Sequence, residues 1–143
     1  MPNQAKVLLV DDSADDCCLL LNALEKFPCL QVVAALEDDI ETLFYLNGAG
    51  AYADRSRFPY PDVVLLDLQM PALNGFQVLQ SIRAEGRSHP RVVIISDSNE
   101  SAALEEAHRL GASLYLVKNG RFSELARRIA EFLSDPPVEI ARG

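Results

Sequence analysis

Polar side chains that could do chemistry follow short aliphatic runs at several points along the chain. The runs and the groups that follow them are Val7–Val10 before Asp11 and Asp12, Val63–Leu66 before Asp67, Val92–Ile95 before Ser96, and Leu114–Val117 before Lys118. Three carboxylates held close together repel one another unless a cation compensates them. Carboxylate oxygens at that density suit a hard divalent ion, Mg²⁺ or Mn²⁺.

The same groups suit phosphoryl transfer. Asp67 is a candidate nucleophile toward phosphorus, because aspartyl phosphate formation is an established role of carboxylates. The transition state spreads negative charge over its equatorial oxygens, and a metal ion, Lys118 and the Ser96 hydroxyl could stabilise that charge. Each group also has an ordinary interpretation, in which Asp12 or Ser13 caps the first helix and Ser96 caps the fourth. Lys118 is then a solvated surface charge.

Hydrophobic periodicity indicates the elements that must position these groups. The aliphatic runs, with a fifth at Val32–Leu36 before Glu37, are typical of strands, and three of them are near-continuously aliphatic, as expected where both faces are covered. Between the runs lie predicted helical faces at Cys17, Leu21 and Leu24; at Ile40, Leu43, Phe44 and Asn47; at Phe76, Leu79 and Ile82; at Ala103, Ala107 and Leu110; and at Phe122, Leu125, Ile129 and Phe132. Gly48, Gly86 and Gly111 end three of these helices. The repeated strand–helix pattern predicts an α/β fold with a parallel sheet, whose strand ends meet at one edge.

Length and charge limit the function classes. The chain has 143 residues, enough for one domain, and 13 basic against 21 acidic side chains give a net charge of −8. All of that excess lies in the first 54 residues, where Asp15 and Asp16 fall in the predicted first turn of a helix and are favoured by its dipole. So acidic a chain is a poor general nucleic-acid binder, and no apolar run is long enough to span a membrane. The three cysteines have no framework spacing and predict a reduced, cytoplasmic protein.

Four motifs in this order and spacing resemble the receiver (response regulator) domain of two-component signalling. They are Val10-Asp11-Asp12, Leu65 to Gly75, Ile94-Ile95-Ser96 and Gly111 to Lys118. The resemblance runs from Lys6 to Leu133 and predicts a receiver domain over residues 1–133, followed by a short tail over 134–143. It implies a five-stranded parallel sheet, doubly wound as (βα)5, in the flavodoxin-like strand order 2-1-3-4-5.

The resemblance implies a phosphoacceptor and a metal site. Asp67 is similar to the phosphoacceptor of the family and would also be a ligand in the metal site. Asp12 matches the direct carboxylate ligand of Mg²⁺ (or Mn²⁺), with Asp11 assisting. The backbone carbonyl of Gln69 would be a further ligand. Gln69 and Ser98 also occupy positions where the family tunes the lifetime of the phosphate.

The resemblance also implies a switch. Ser96 would bond a phosphoryl oxygen on activation, Lys118 would pair with the phosphoryl group, and Tyr115 would fill the space that Ser96 leaves. On the plainer interpretation Tyr115 is a half-buried strand residue. The surface of the fourth helix, fifth strand and fifth helix would then contact a downstream protein or support homodimer formation. Its charged residues, which could equally be ordinary solvated helix charges, are Glu105, Glu106, Arg109, Arg127 and Arg128.

These observations predict a single-domain phosphoacceptor response regulator. It would take a phosphoryl group from a sensor histidine kinase or phosphotransfer protein onto Asp67 and signal by protein contact, without binding nucleic acid or membrane. It would be a switch and not a metabolic enzyme, catalysing only its own phosphorylation and dephosphorylation. Two alternatives stay open: the receiver module of a DNA-binding transcription factor, and a degenerate receiver that acts as an unphosphorylated interaction module. An aspartyl phosphatase is disfavoured, because Gln69 stands where a second acid would be needed.

Three features depart from the common family pattern. Asn119 follows Lys118, where many members have a cis proline, and a cis bond is far costlier without proline. Asp97 stands where a small residue is common, and it could restrict access of the phosphodonor, add repulsion or point outward. The insertion Gly48–Pro61 is similar to that of small stand-alone regulators that pair with bacterial phytochrome-type kinases, and its composition predicts an irregular loop.

Overall fold

The computed structural model of the protein describes residues 4–68, 75–84, 90–97 and 99–134. The strands are β1 (Ala5–Val10), β2 (Leu30–Leu36), β3 (Val63–Asp67), β4 (Arg91–Ser96) and β5 (Leu114–Val117). The helices are α1 (Ala14–Leu24), α2 (Asp39–Asn47), α3 (Gly75–Ala84), α4 (Ser101–Arg109) and α5 (Phe122–Ser134). All five predicted strand runs lie within observed strands. The predicted domain limits at residues 133 and 134 stay a prediction, and the predicted helix end at Gly86 lies outside the described residues.

The five strands form one parallel sheet in the order β2-β1-β3-β4-β5, which confirms the flavodoxin-like order. Successive side chains of a strand point to opposite faces. Val7 and Leu9 of β1 therefore pack with α1 and α5, while Leu8 and Val10 pack with α2, α3 and α4. The helices thus cover both faces and leave the strand ends open at the edge. Within the described ranges, no helix combines the length and apolarity needed to cross a bilayer.

The buried face of α2 differs from the predicted one. The hydrophobic pattern predicts a face that includes Ile40 and Phe44, yet these side chains are 45% and 54% exposed. The residues of α2 that are buried are Asp39, Thr42, Tyr45 and Leu46. Local hydrogen bonds reduce the cost of burying polar groups, because the Ile40 amide donates to Asp39 Oδ1 and the Thr42 hydroxyl donates to the Asp38 carbonyl.

The segment over residues 48–61 explains why Tyr45 is buried. The Tyr45 hydroxyl donates to the Pro59 carbonyl at 2.8 Å. The Tyr45 ring centroid lies 4.9 Å from that of Tyr52 and 6.2 Å from that of Phe58, and both distances are typical of aromatic pairs. The segment includes a 3-10 turn at Gly50–Tyr52. The insertion predicted to be an irregular loop is therefore a structured cover over one side of α2.

Arg55 fastens this cover to the end of α2. Its guanidinium donates to the carbonyls of Leu46 and Phe58, each at 3.1 Å, and lies 5.6 Å from the Tyr45 ring centroid. The helix ends at Gly48, whose φ of +66° is rare for residues with a side chain. A Cβ at this position would lie 3.2 Å from Arg55 Nη2, so the glycine also makes room for the arginine.

A hydrogen bond from the Tyr52 hydroxyl to Glu41 Oε2 ties the cover to α2 and raises the pKa of Tyr52 to about 12. We expect Tyr52→Phe to lower the free energy of unfolding by about 1 kcal/mol near neutral pH, because it removes a charge-assisted hydrogen bond. The tyrosine pKa is higher in the folded than in the unfolded chain. The hydrogen bond therefore makes its full contribution to the free energy of unfolding below pH about 10, and this contribution is lost as the pH rises through about 12. Urea unfolding of both proteins at pH about 8 and about 11 should show the difference shrinking at the higher pH; an equal difference at both would contradict this origin.

Candidate functional site

The predicted site residues come together at the open edge of the sheet. The strand register places Asp67 beside the end of β4 and Ser96 beside the end of β5. Asp11 follows directly after β1, the neighbour of β3, and Lys118 follows directly after β5. All four side chains are buried although they are polar. Buried polar groups need partners, so their convergence requires a compensated set of charges.

Three carboxylates form a cluster with the geometry of a cation site. One oxygen each from Asp11, Asp12 and Asp67 lies within 4.8 Å of the others. Asp12 is exposed, whereas Asp11 and Asp67 are buried. Hard oxygen donors at this spacing fit Mg²⁺ or Mn²⁺. The predicted backbone ligand Gln69 and the predicted tuning residue Ser98 lie outside the described residues.

The ammonium of Lys118 lies among carboxylates. Lys118 Nζ is 2.7 Å from Asp11 Oδ2, 3.0 Å from Asp16 Oδ2 and 3.5 Å from Asp67 Oδ2. Burial by itself lowers the pKa of Lys118, but hydrogen bonds to Asp11 and Asp16 and the charge of Asp67 outweigh it, so the pKa is raised above its usual range. The lysine is therefore charged at physiological pH, and its shortest contact is to the β1 side of the cluster.

Asp16 is a member of the site that the sequence interpretation missed. Ser13 caps α1 by accepting the Asp16 amide at 3.2 Å, so Asp16 is the third residue of the helix. Helical side chains tilt toward the N-terminus, and Asp16 consequently reaches back to Lys118. From the sequence alone, the position of Asp16 is explained by the helix dipole. The sequence feature that could have identified Asp16 is its spacing, because Asp16 lies one helical turn after the cap Ser13, which itself follows the acidic pair at 11–12.

The structure separates the functional and ordinary interpretations of several groups. Ser13, and not Asp12, is the cap of α1. Ser96 does not cap α4, because it ends β4 in a buried position and the N-cap residue of α4 is Glu100. Lys118 is not a solvated surface charge, since its side chain is 5% exposed.

Tyr115 is half-buried on β5, beside a groove between α4 and β5. The groove has a volume of about 280 Å³, and its walls include Leu104, His108 and Tyr115. Because Tyr115 forms part of the wall of this groove, a movement of Tyr115 would change the shape of the groove.

Several of the predicted surface charges are paired within their own helices. Arg109 pairs with Glu106 on α4, and Arg127 pairs with Glu124 and Glu131 on α5.

The structure shows the conformation of the chain at two departures from the family pattern, Asn119 and Asp97. Every peptide bond in the described part of the chain is trans, including the one between Lys118 and Asn119. Asn119 Oδ1 accepts the Arg121 amide at 3.3 Å, which forms a turn leading into α5. Asp97 is exposed. Asn119 thus still allows Lys118 to reach the acidic cluster.

Comparison with known proteins gives the same picture. The family model for the response regulator receiver domain matches residues 7–130. A protein-glutamate methylesterase/protein-glutamine glutaminase of the group 3 operon of Cereibacter sphaeroides is 34% identical over 128 residues, which cover 87% of this chain and 31% of that protein. The chain therefore spans about a third of the length of this relative.

Two similar solved structures come from response regulators. The phosphorylated cyanobacterial phytochrome response regulator RcpA superimposes with a TM-score of 0.77 at 29% identity, covering 90% of this chain and 91% of that one. The Mn²⁺-bound form of the response regulator Rcp1 has a TM-score of 0.75 at 25% identity, covering 91% and 92%. With the family match over residues 7–130, the sheet order and the acidic edge, the chain belongs to the response regulator receiver domain family.

Proposed function

We propose that the chain is a phosphoacceptor in which Asp67 takes a phosphoryl group from a phosphohistidine of a sensor histidine kinase or phosphotransfer protein. The observation that carries this proposal is the convergence of Asp11, Asp12 and Asp67 within 4.8 Å, beside the buried ammonium of Lys118. Membership of the receiver family supports it. The phosphorylated state of the similar RcpA supports it as well.

The proposed step is a direct transfer between two side chains. A carboxylate oxygen of Asp67 attacks phosphorus, so that an O–P bond forms while the N–P bond to the imidazole breaks. The electron pair of the broken bond stays on the imidazole nitrogen, which takes up a proton. Lys118 Nζ, which lies 3.5 Å from Asp67 Oδ2, would donate to a phosphoryl oxygen as charge develops. The buried Ser96 hydroxyl on the adjacent strand is a second donor.

The acidic cluster would hold Mg²⁺ or Mn²⁺ through Asp11, Asp12 and Asp67. Their oxygens are hard donors, and in the described part of the chain these three negative charges face one positive charge, that of Lys118. When bound, the ion would supply Lewis-acid compensation for the charge on the transferring phosphoryl group. The same proposal includes the backbone carbonyl of Gln69 as a further ligand of the ion.

The proposed output is a change at the surface of α4, β5 and α5. Phosphorylation adds negative charge and acceptor oxygens at Asp67, toward which the Ser96 hydroxyl can turn. Tyr115 can then occupy the space that Ser96 leaves, and the groove beside Tyr115 changes shape. A downstream protein or a second copy of the chain would recognise that change as a shift between two populations.

Intact-mass measurement after incubation with acetyl phosphate tests the proposal. We expect a single phosphoryl adduct that requires Mg²⁺, survives acid and is lost in base, as an acyl phosphate should be. Incubation with EDTA, and with inorganic phosphate in place of acetyl phosphate, are the controls and should give no adduct. Unmodified protein in a sample shown to bind Mn²⁺ would overturn the proposal and favour an unphosphorylated interaction module.

A further inference from the structure

Lys118 contacts one carboxylate, that of Asp16, which is not part of the cation cluster. The cluster consists of Asp11, Asp12 and Asp67, and Asp16 is not part of it. Asp16 instead contacts the Lys118 ammonium at 3.0 Å, a shorter distance than that from the ammonium to Asp67. The proposed phosphotransfer does not require this additional contact, so the contact needs an explanation of its own.

Both oxygens of Asp11 are engaged by the protein. Oδ1 accepts the Ser13 amide at 2.9 Å, and Oδ2 accepts the Lys118 ammonium at 2.7 Å. Asp11 is fully buried. A divalent cation bound at the cluster must therefore share an Asp11 oxygen with the Ser13 amide or with the Lys118 ammonium, which also contacts Asp67 of the cluster. The two cations repel each other strongly at such a separation in a poorly hydrated site.

An ammonium displaced from Asp11 needs another acceptor close by, because a buried and uncompensated charge is costly. Among the described residues three carboxylates contact Lys118, and two of them, Asp11 and Asp67, belong to the cation cluster. Asp16 does not, and its position is fixed by the capped first turn of α1. We infer that Asp16 is a positioning residue that keeps Lys118 paired when Asp11 turns to the divalent cation, an inference that rests on the proposed function.

Electron paramagnetic resonance of free Mn²⁺ measures the cation affinity directly and needs no phosphodonor. We expect Asp16→Asn to weaken Mn²⁺ binding about tenfold, since Lys118 then competes for Asp11 without its alternative partner. The matched control is Asp15→Asn, which removes the same charge from an exposed position in the same helical turn. Asp15→Asn should weaken binding by no more than about twofold.

A double-mutant cycle with Lys118→Met tests whether Asp16 acts through the lysine. In the Lys118→Met background, the effect of Asp16→Asn should fall to that of Asp15→Asn, and Asp16→Glu should retain most of the affinity in the wild-type background. Equal effects of the Asp15 and Asp16 variants beside an intact lysine would overturn the inference. An Asp16 effect that persists without the lysine would overturn it too, because Asp16 would then act on the cation itself. Thermal unfolding without Mn²⁺ checks that each variant is folded, and a wild-type protein that binds no Mn²⁺ would reject the proposed function instead.

Discussion

Replacing Asp67 with asparagine should abolish the acetyl phosphate adduct and, at the same time, stabilise the metal-free protein. Asparagine keeps the shape of the side chain, but its amide oxygen is not a nucleophile toward phosphorus. Stability should rise by about 1 kcal/mol, because Asp11, Asp12, Asp16 and Asp67 lie at one edge with the charge of Lys118 to compensate them. Removing one carboxylate relieves part of their mutual repulsion.

Intact mass and thermal unfolding of the same samples measure both effects of Asp67→Asn. Asp97→Asn is the matched control, because Asp97 is an exposed acid that follows β4 at the same edge. It should keep the adduct and change the unfolding temperature little. An adduct on the Asp67 variant would assign the phosphoryl group to another residue. A fall in its unfolding temperature would show that the carboxylate is compensated in the metal-free state.

The sheet and its functional edge could be predicted because both depend on short-range patterns. A near-continuous aliphatic run such as Val63–Leu66 is typical of a strand covered on both faces, and the residue after it must emerge at the sheet edge. For this reason Asp67, Ser96 and Lys118 could be assigned to one site before the structure was known. The order of the strands came from the family resemblance, since periodicity alone does not fix it.

The buried face of α2 could not be predicted, because its burial depends on a distant segment. Ile40 and Phe44 fit an apolar stripe, but Tyr45 is buried on another side of the helix, where Pro59 accepts its hydroxyl and Arg55 lies over its ring. Hydrophobic periodicity treats a tyrosine at that position as ambiguous. The partners that decide its burial belong to the segment over residues 48–61, whose composition predicts only a loop.

The contact between Asp16 and Lys118 escaped prediction for a different reason. Helix periodicity identifies which residues face the core, and Asp16 has no part in an apolar stripe. Its role depends on the direction of its side chain, which tilts back past the cap toward the end of β5. The helix dipole already explains an acid in the first turn, and the spacing of Asp16 one turn after the Ser13 cap does not by itself identify Lys118 as its partner.

Replacing Lys118 with methionine should destabilise the metal-free protein by about 3 kcal/mol, the opposite of the effect expected for Asp67→Asn. Methionine keeps most of the aliphatic length of the side chain and removes the ammonium. Asp11, which is fully buried, then loses its 2.7 Å ion pair and remains as an uncompensated charge. Lys26→Met is the matched control, because Lys26 is exposed and the change in net charge is the same.

Mg²⁺ should restore the stability of Lys118→Met without restoring its chemistry. An ion bound only by the folded protein adds about 2.7 kcal/mol when its concentration is 100 times its dissociation constant. The variant should also bind the ion more tightly, because no ammonium competes for Asp11. Adduct formation should nevertheless be slower by about a hundredfold, since the donor beside Asp67 is lost. Urea unfolding with and without Mg²⁺, followed by rates of adduct formation at saturating Mg²⁺, separates the two parts. If Mg²⁺ restored both stability and rate, the lysine would serve only to compensate charge; if it restored neither, the cation would not bind at this acidic edge.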